Sequence, residues 1–359
     1  MPDFGIWAAW TGRKRIDLPI PTANLVDFPE KVPIIADADI GRACRADGFD
    51  IRFTSVDGVP LLKYERESFA VAGGEATGIF WVKTNVATAG TYVWCYYGNL
   101  SAPDGADPEA VWDTNFKAVY HMKDATTSTI LDSTANSNDG AKDAANKPAE
   151  VAGKIGKGQD FGGNADKGRI VCGADASLSG ADELTVEAWL NYDGLQQTYP
   201  AVVSRFTGSV SGYIFRMHKS SNKAYLNLNW AGGNQDFFCA SAIGSGWRHI
   251  AFTYKASTLK VNTFFEGAPD STQDATHAMV GANKTLYLGE DNSGWYFDGL
   301  MDEVRISSVA RSAAWIAYEY ANMNPAVGGL TWGAEQSSVK KSHAAVRISR
   351  EYFLRTRER

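Results

Sequence analysis

A period of two constrains this chain more than any other feature. Between residues 184 and 190 apolar and polar side chains alternate, with Leu184, Val186, Ala188 and Leu190 on one side. Successive side chains of an extended strand point to opposite faces, so such a stretch has one face to bury and one to solvate. The pattern returns at 201–206, 213–218, 224–230, 247–254, 259–265, 285–288 and 300–306, with Gly, Asn, Ser and Asp gathered between the runs as turn residues. Strands of this kind bury their apolar faces by stacking two sheets, so the stretch from about Phe116 to Glu335 reads as an antiparallel sandwich.

Shorter extended runs come first, at 15–20, 30–35, 49–53, 61–67, 78–86 and 91–97. Asp57-Gly58 lies between the third and fourth and signals a hairpin turn. Residues 101–110 have linker composition, rich in Pro, Gly, Asp and Ala. The expected organisation is all-β: a small β-sandwich domain over 1–110, a jelly-roll sandwich over 111–336 and a tail over 337–359. One short C-terminal helix is expected. Ser312 is a good N-cap for Ala313–Met323, and Ile316, Tyr320 and Met323 form one apolar stripe, read as a plug for an end of the sandwich. Gly328–Ala334 then reads as the closing strand.

Charge separates the tail from the rest. The chain carries −6, but the last 22 residues carry seven Lys/Arg against Glu351 and Glu358, which leaves −11 on the body. An acidic body argues against a nucleic-acid-binding surface there. The tail also carries Val346, Ile348, Tyr352, Phe353 and Leu354. It is either a solvated terminus or a segment that docks on acidic surfaces, whether other copies of the chain or virion proteins. Four scattered cysteines and no C-x-x-C argue against a zinc or redox motif. No signal-peptide pattern and no apolar run of membrane-spanning length is present, so membrane insertion is not expected.

Two sets of motifs carry resemblances. Asp27-Phe28-Pro29, Gly48-Phe49-Asp50-Ile51-Arg52-Phe53, Leu61-Leu62-Lys63-Tyr64-Glu65, Trp81-Val82-Lys83 and Tyr96-Tyr97-Gly98-Asn99 resemble the domain of unknown function DUF2341. Val111-Trp112-Asp113 and Val119-Tyr120-His121-Met122 continue that resemblance into the next domain. Asp132 to Gly140, Gly153-Lys154-Ile155-Gly156, Leu184 to Trp189, Gly246 to Ala251 and Gly299 to Ile306 resemble a laminin-G-like, concanavalin A-like jelly roll. This resemblance implies a fold more than an activity, because the fold hosts lectins, adhesion modules, glycanases and structural parts.

The resemblance also implies a structural Ca²⁺ held between an early loop and a late acid, here Asp132 or Asn136 with Asp302. The loop 132–140 is rich in oxygen donors, as Ca²⁺ requires, though Asn138-Asp139-Gly140 serves a plain turn equally well. For glycan or partner binding, aromatic rings must sit on loops or an open sheet face beside amides and carboxylates. Trp230 with Asn234, and Asp291 with Trp295 and Tyr296, fit that description; a core or subunit contact is the competing reading of both tryptophans. Concanavalin-type glycanases carry two carboxylates on one strand facing one cleft. Glu183 and Glu187 span too far for this and Asp302-Glu303 point oppositely, so no such strand is read here. No Gly-x-Ser-x-Gly elbow is present, and Gly153–Gly158 reads as a turn and not a phosphate loop.

The chain is therefore expected to be a non-catalytic recognition or adhesion protein of a virion (phage tail or decoration) or a cell surface, its jelly roll binding glycan or a surface protein. A purely structural virion or filament subunit is the alternative, and a glycan-degrading hydrolase the third.

Overall fold

The alternation at 184–190 becomes the strand Glu183–Tyr192, whose residues Leu184, Val186, Ala188 and Leu190 are buried in one apolar core. The structure, a computed structural model, describes residues 5–59, 61–192, 197–324, 326 and 329–338. The basic segment from 339 onward lies outside the described residues, as does Gly328 of the expected closing strand.

The core lies between two antiparallel sheets. The first has eight strands. Glu183–Tyr192 sits between Gly299–Ser307 and Trp247–Lys255, Ala268–Asp274 forms one edge, and Phe116–Tyr120 joins through Gly299–Ser307. The second has nine, running from Gly233–Phe238 through Lys223–Trp230, Ser211–His218 and Ala201–Thr207 to the short strands around Ile170 and Ile130. The strands Gly233–Phe238 and Ala268–Asp274 were not expected. Both are edge strands with polar faces, and an edge strand does not need an alternating apolar pattern. Among the described residues no helix is long and apolar enough to cross a membrane.

The N-terminal part packs a five-stranded sheet against a three-stranded one. Gly12–Asp17 is central in the first, beside Tyr92–Tyr97, while Leu25–Asp37, Glu75–Val86 and Tyr64–Ala72 form the second. The Asp57-Gly58 turn forms as expected, with Gly58 at φ +76° and its N–H donating to Ser55 O at 2.9 Å. A one-turn helix, Ala38–Ala43, was not foreseen; the Asp37 carboxylate caps it by accepting from the Asp39 and Ile40 N–H groups.

Two connections, the closing segment and the C-terminal helix, tie the two parts together. The closing segment does not finish the jelly roll. Thr331–Trp332 and Gln336–Ser337 pair with Gly12–Asp17, so the chain returns to its first sheet. Residues 101–110 lie along the strand Tyr64–Ala72, with Asp107 N–H donating to Tyr64 O at 2.8 Å and Arg66 paired to Asp104.

The helix Ala313–Met323 forms where expected, Ser312 capping it by accepting from Trp315 N–H. It is not an end plug. Trp315 and Tyr318 pack on Phe28 of the N-terminal part, each with ring centroids 4.9 Å away. Tyr318 and Asn322 donate to Glu30, and Tyr320 stacks on Trp189 of the jelly roll at 5.6 Å. Tyr318, Glu319 and Asn322 break the single apolar stripe because the helix is covered on two sides.

Candidate functional site

The side chains named from the sequence fall in different places. Asp291, Trp295 and Tyr296 share one loop at the rim of the nine-stranded sheet. Asp291 is 1% exposed, pairs with Arg216 and accepts from Ser293 N–H at 2.9 Å. It therefore holds the loop and does not face a ligand. Trp295 is half-buried and meets Tyr199 edge-to-face at 5.4 Å. Tyr296 N–H donates to Gln197 Oε1 at 3.0 Å.

Trp230 stands apart from this loop. Its ring stacks on His277 at 4.7 Å, at the far end of the hairpin strand that starts at Lys223 opposite His218. Seven strand residues separate the two ends, roughly 20 Å. Asn234 accepts from Asn227 Nδ2 at 3.2 Å and donates to Ser209 Oγ at 3.1 Å.

What joins these points is the outer face of the nine-stranded sheet. Phe215, Met217, Leu226 and Leu228 face the core, so Arg216, His218, Tyr225, Asn227 and Asn229 lie on the opposite side of the sheet, where Tyr225, Asn227 and Asn229 are themselves buried. An aromatic run passes from Trp295 through Tyr199 and His218 to Phe238, which stacks on Tyr225 at 4.7 Å. Next to it Asn227 donates to Asp236 at 2.6 Å and accepts from Asn229 at 2.7 Å. Sequence reasoning missed Tyr199, Arg216, His218 and Phe238. The available signal was their parity, since Arg216 and His218 alternate with buried Phe215 and Met217.

The proposed calcium set does not fit calcium. Asp132 accepts from the N–H groups of Val119, Thr134 and Asn138 and from Thr134 Oγ1, which occupies both oxygens. Asn136 donates to Phe116 O and Thr134 Oγ1. Asp302 is fully buried and accepts from the Ile155 and Glu303 N–H groups. The two carboxylates share no partner and serve loops that Ca²⁺, with its need for six to eight oxygens, would have to dismantle.

A cleft of ≈ 690 Å³ lies between the N-terminal part and the jelly roll. Glu65 and Glu67, alternate residues of the strand Tyr64–Ala72, both line it, with His121 beside them. This corrects the expectation that no strand presents paired acids; the pair lies in the N-terminal part and not in the sandwich.

The paired acids are already engaged. Glu65 accepts from Ser133 Oγ at 2.7 Å and Trp112 Nε1 at 3.0 Å, and lies 3.3 Å from His121 Nε2. Glu67 accepts from Trp81 Nε1 at 2.8 Å. His121 Nδ1 lies 2.7 Å from Glu303 Oε1, and Arg305 bonds both Glu303 and Glu319.

Burial opposes the charge on His121, but Glu303, Glu65 and Glu67 outweigh it and hold the imidazolium well above its ordinary range. Burial pushes Glu67 up to about 7, while His121 and Arg305 overcome burial at Glu303 and hold it at about 2. Glu67, His121 and Glu303 bring ligand-type atoms within 4.8 Å of one another. Hydrogen bonds and Arg305 already use those atoms, and the arrangement works as an ionic clamp between the two parts.

Fold and sites define a two-part all-β protein whose larger part is a jelly-roll sandwich. Residues 161–317 match the family described as the concanavalin A-like lectin/glucanases superfamily, and residues 47–137 match the domain of unknown function DUF2341. The chain is a DUF2341-type domain followed by a laminin-G-like, concanavalin A-like jelly roll.

Among solved structures, the binding domain of Paraclostridial Mosquitocidal Protein 1 is 13% identical, with TM-score 0.47, covering 58% of this chain and 52% of that one. The binding domain of botulinum neurotoxin DC in complex with rat synaptotagmin II is 9% identical, with TM-score 0.46 and the same coverage. Domain 4 of AbnA, a GH43 extracellular arabinanase from Geobacillus stearothermophilus, in complex with arabinotriose, is 20% identical, with TM-score 0.45, covering 56% of this chain and 97% of that one. The chain thus spans about half the length of the two toxin domains. At this level of similarity nothing about ligand or activity transfers. No curated protein matches the sequence.

Proposed function

We propose that this is a non-catalytic recognition protein whose jelly roll binds a glycan, or a protein surface offering similar polar groups, on the outer face of its nine-stranded sheet. One observation carries the reading. That face sets the aromatic run Trp295–Tyr199–His218–Phe238 beside the exposed Asn234 and Asp236, so ring faces and hydrogen-bonding groups lie together on one surface. Tyr199 is 37% exposed, and Trp295 and Tyr296 flank it on a loop braced by Asp291. The reading assigns no chemistry to Glu65 and Glu67, whose carboxylates are bound to Trp112, Ser133 and Trp81.

A shallow face of this kind gives weak single-site binding, which display in many copies strengthens. A virion or cell surface is the setting we propose. The test is a glycan array probed with the full chain, with and without calcium, beside Tyr199→Ala and Trp295→Ala. Binding that both substitutions remove supports the reading. Silence of the whole array, or binding that survives both substitutions, overturns it.

A further inference from the structure

The interdomain cleft has a charge that its own neighbourhood does not balance. Seven carboxylates line it, against Arg66, Lys123 and His121. Asp107 and Asp124 are countered by Lys63 and Lys142. Glu65 and Glu67 share the His121 imidazolium, while among the described residues no Lys, Arg or His pairs with Glu109 or Asp139. The other two cations of the lining are committed elsewhere, Arg66 to Asp104 and Lys123 to the Glu67 carbonyl. Glu109 and Asp139 are exposed at the rim, and Leu131, 52% exposed, adds an apolar contact. A concavity of this size at a domain junction is a normal place for a ligand. Its chemistry selects a cationic chain with apolar side groups.

The sequence contains such a chain. Residues 339–359 carry Lys340, Lys341, Arg347, Arg350, Arg355, Arg357 and Arg359 against two glutamates, with Val346, Ile348, Tyr352, Phe353 and Leu354 among them. The segment departs from Ser338, which is fixed on the first strand through Thr11 O at 2.9 Å. Its 21 residues reach up to roughly 70 Å when extended. A body of this length has a radius of gyration of only about 20 Å, so the cleft is within range.

We propose that the interdomain cleft is a docking site for a lysine- and arginine-bearing segment, and that residues 339–359 of the same molecule occupy it. The site is separate from the outer sheet face, so either proposal stands or falls alone.

Limited trypsin digestion of the full chain tests this, because the segment offers cleavage sites after Arg347, Arg350, Arg355 and Arg357. Docking slows those cuts at low salt. The Glu109→Gln/Asp139→Asn variant changes two exposed rim residues and leaves the core intact. It should be cut in this segment about tenfold faster, the effect of losing two exposed ion pairs of ~0.5–1 kcal/mol each. Raising the ionic strength should release the wild-type segment in the same way. Equal cutting of variant and wild type at low salt overturns the site. Protection that grows with protein concentration overturns the intramolecular occupant and assigns the segment to a second copy.

Discussion

His121 Nδ1 lies 2.7 Å from Glu303 Oε1, while the other nitrogen of the same ring faces Glu65 at 3.3 Å. Glu65 belongs to the N-terminal part and Glu303 to the jelly roll, so one imidazolium is shared across the junction. Arg305 lies behind it, 4.7 Å from the Trp81 ring, bonded to Glu303 and Glu319. Removing one partner from a buried pair leaves the other charge uncompensated. Arg305→Met should therefore destabilise the chain by about 3–5 kcal/mol. Calorimetric unfolding checks this, and a melting temperature within a degree of wild type would show that the clamp contributes nothing.

The same network sets a pH dependence. Burial pushes Glu67 and Glu319 up to about 7, and Glu30 up to about 8. An acid whose folded value is raised contributes stability that is complete below its unfolded value and lost as pH rises through the folded one. His121, raised above the ordinary histidine range by its three glutamates despite burial, acts in the same direction at higher pH. His249 opposes them on the acid side only, since burial lowers it to about 4 and its contribution disappears as pH falls through that value. The melting temperature should consequently fall between pH 5.5 and pH 8 at constant ionic strength, and Glu67→Gln should flatten the slope. A curve that rises over this interval would contradict the assignment.

Phe28 offers a separate measure of the junction. It is fully buried between Trp315 and Tyr318 of the C-terminal helix. Phe28→Ala should cost about 3–5 kcal/mol, as for other large-to-small changes in a packed core. Because the helix also stacks on Trp189, the loss should spread to the jelly roll, so near-ultraviolet circular dichroism should show both parts unfolding together. Two separated transitions in the wild-type chain would mean that the junction does not couple them.

Legibility in the sequence followed the range of the interactions. Leu184 to Leu190 disclosed a strand and its buried face because the signal is local, and Ser312 disclosed a helix start for the same reason. The role of that helix was hidden. Its polar partners, Glu30 and Lys31, lie 288 to 292 residues away in sequence, and no local pattern links Asn322 to them. Glu65 and Glu67 could not be read as a buried pair from the run 61–67, because the residues that cover them, His121 and Ser133, come from far along the chain. Asp291 was misplaced as a ligand contact because a loop carboxylate beside Trp295 reads the same whether it faces solvent or turns inward to Arg216.

Asp132 separates a metal-held loop from a hydrogen-bonded one. Its carboxylate accepts from three backbone N–H groups and from Thr134 Oγ1, and so fixes residues 132–138 against the strand Phe116–Tyr120. Burial raises its pKa, and the four donors oppose that rise. Asp132→Ala leaves buried donors unsatisfied, each costing about 1–3 kcal/mol. It should lower the melting temperature by several degrees, at about 2–4 °C per kcal/mol for a chain of this class. Exhaustive treatment with a chelator should leave the wild-type melting temperature unchanged, because both Asp132 oxygens are taken by donors of the loop and its neighbouring strand. If the chelator lowers it and Asp132→Ala abolishes that response, the loop is a calcium site and its hydrogen bonds rearrange around the metal.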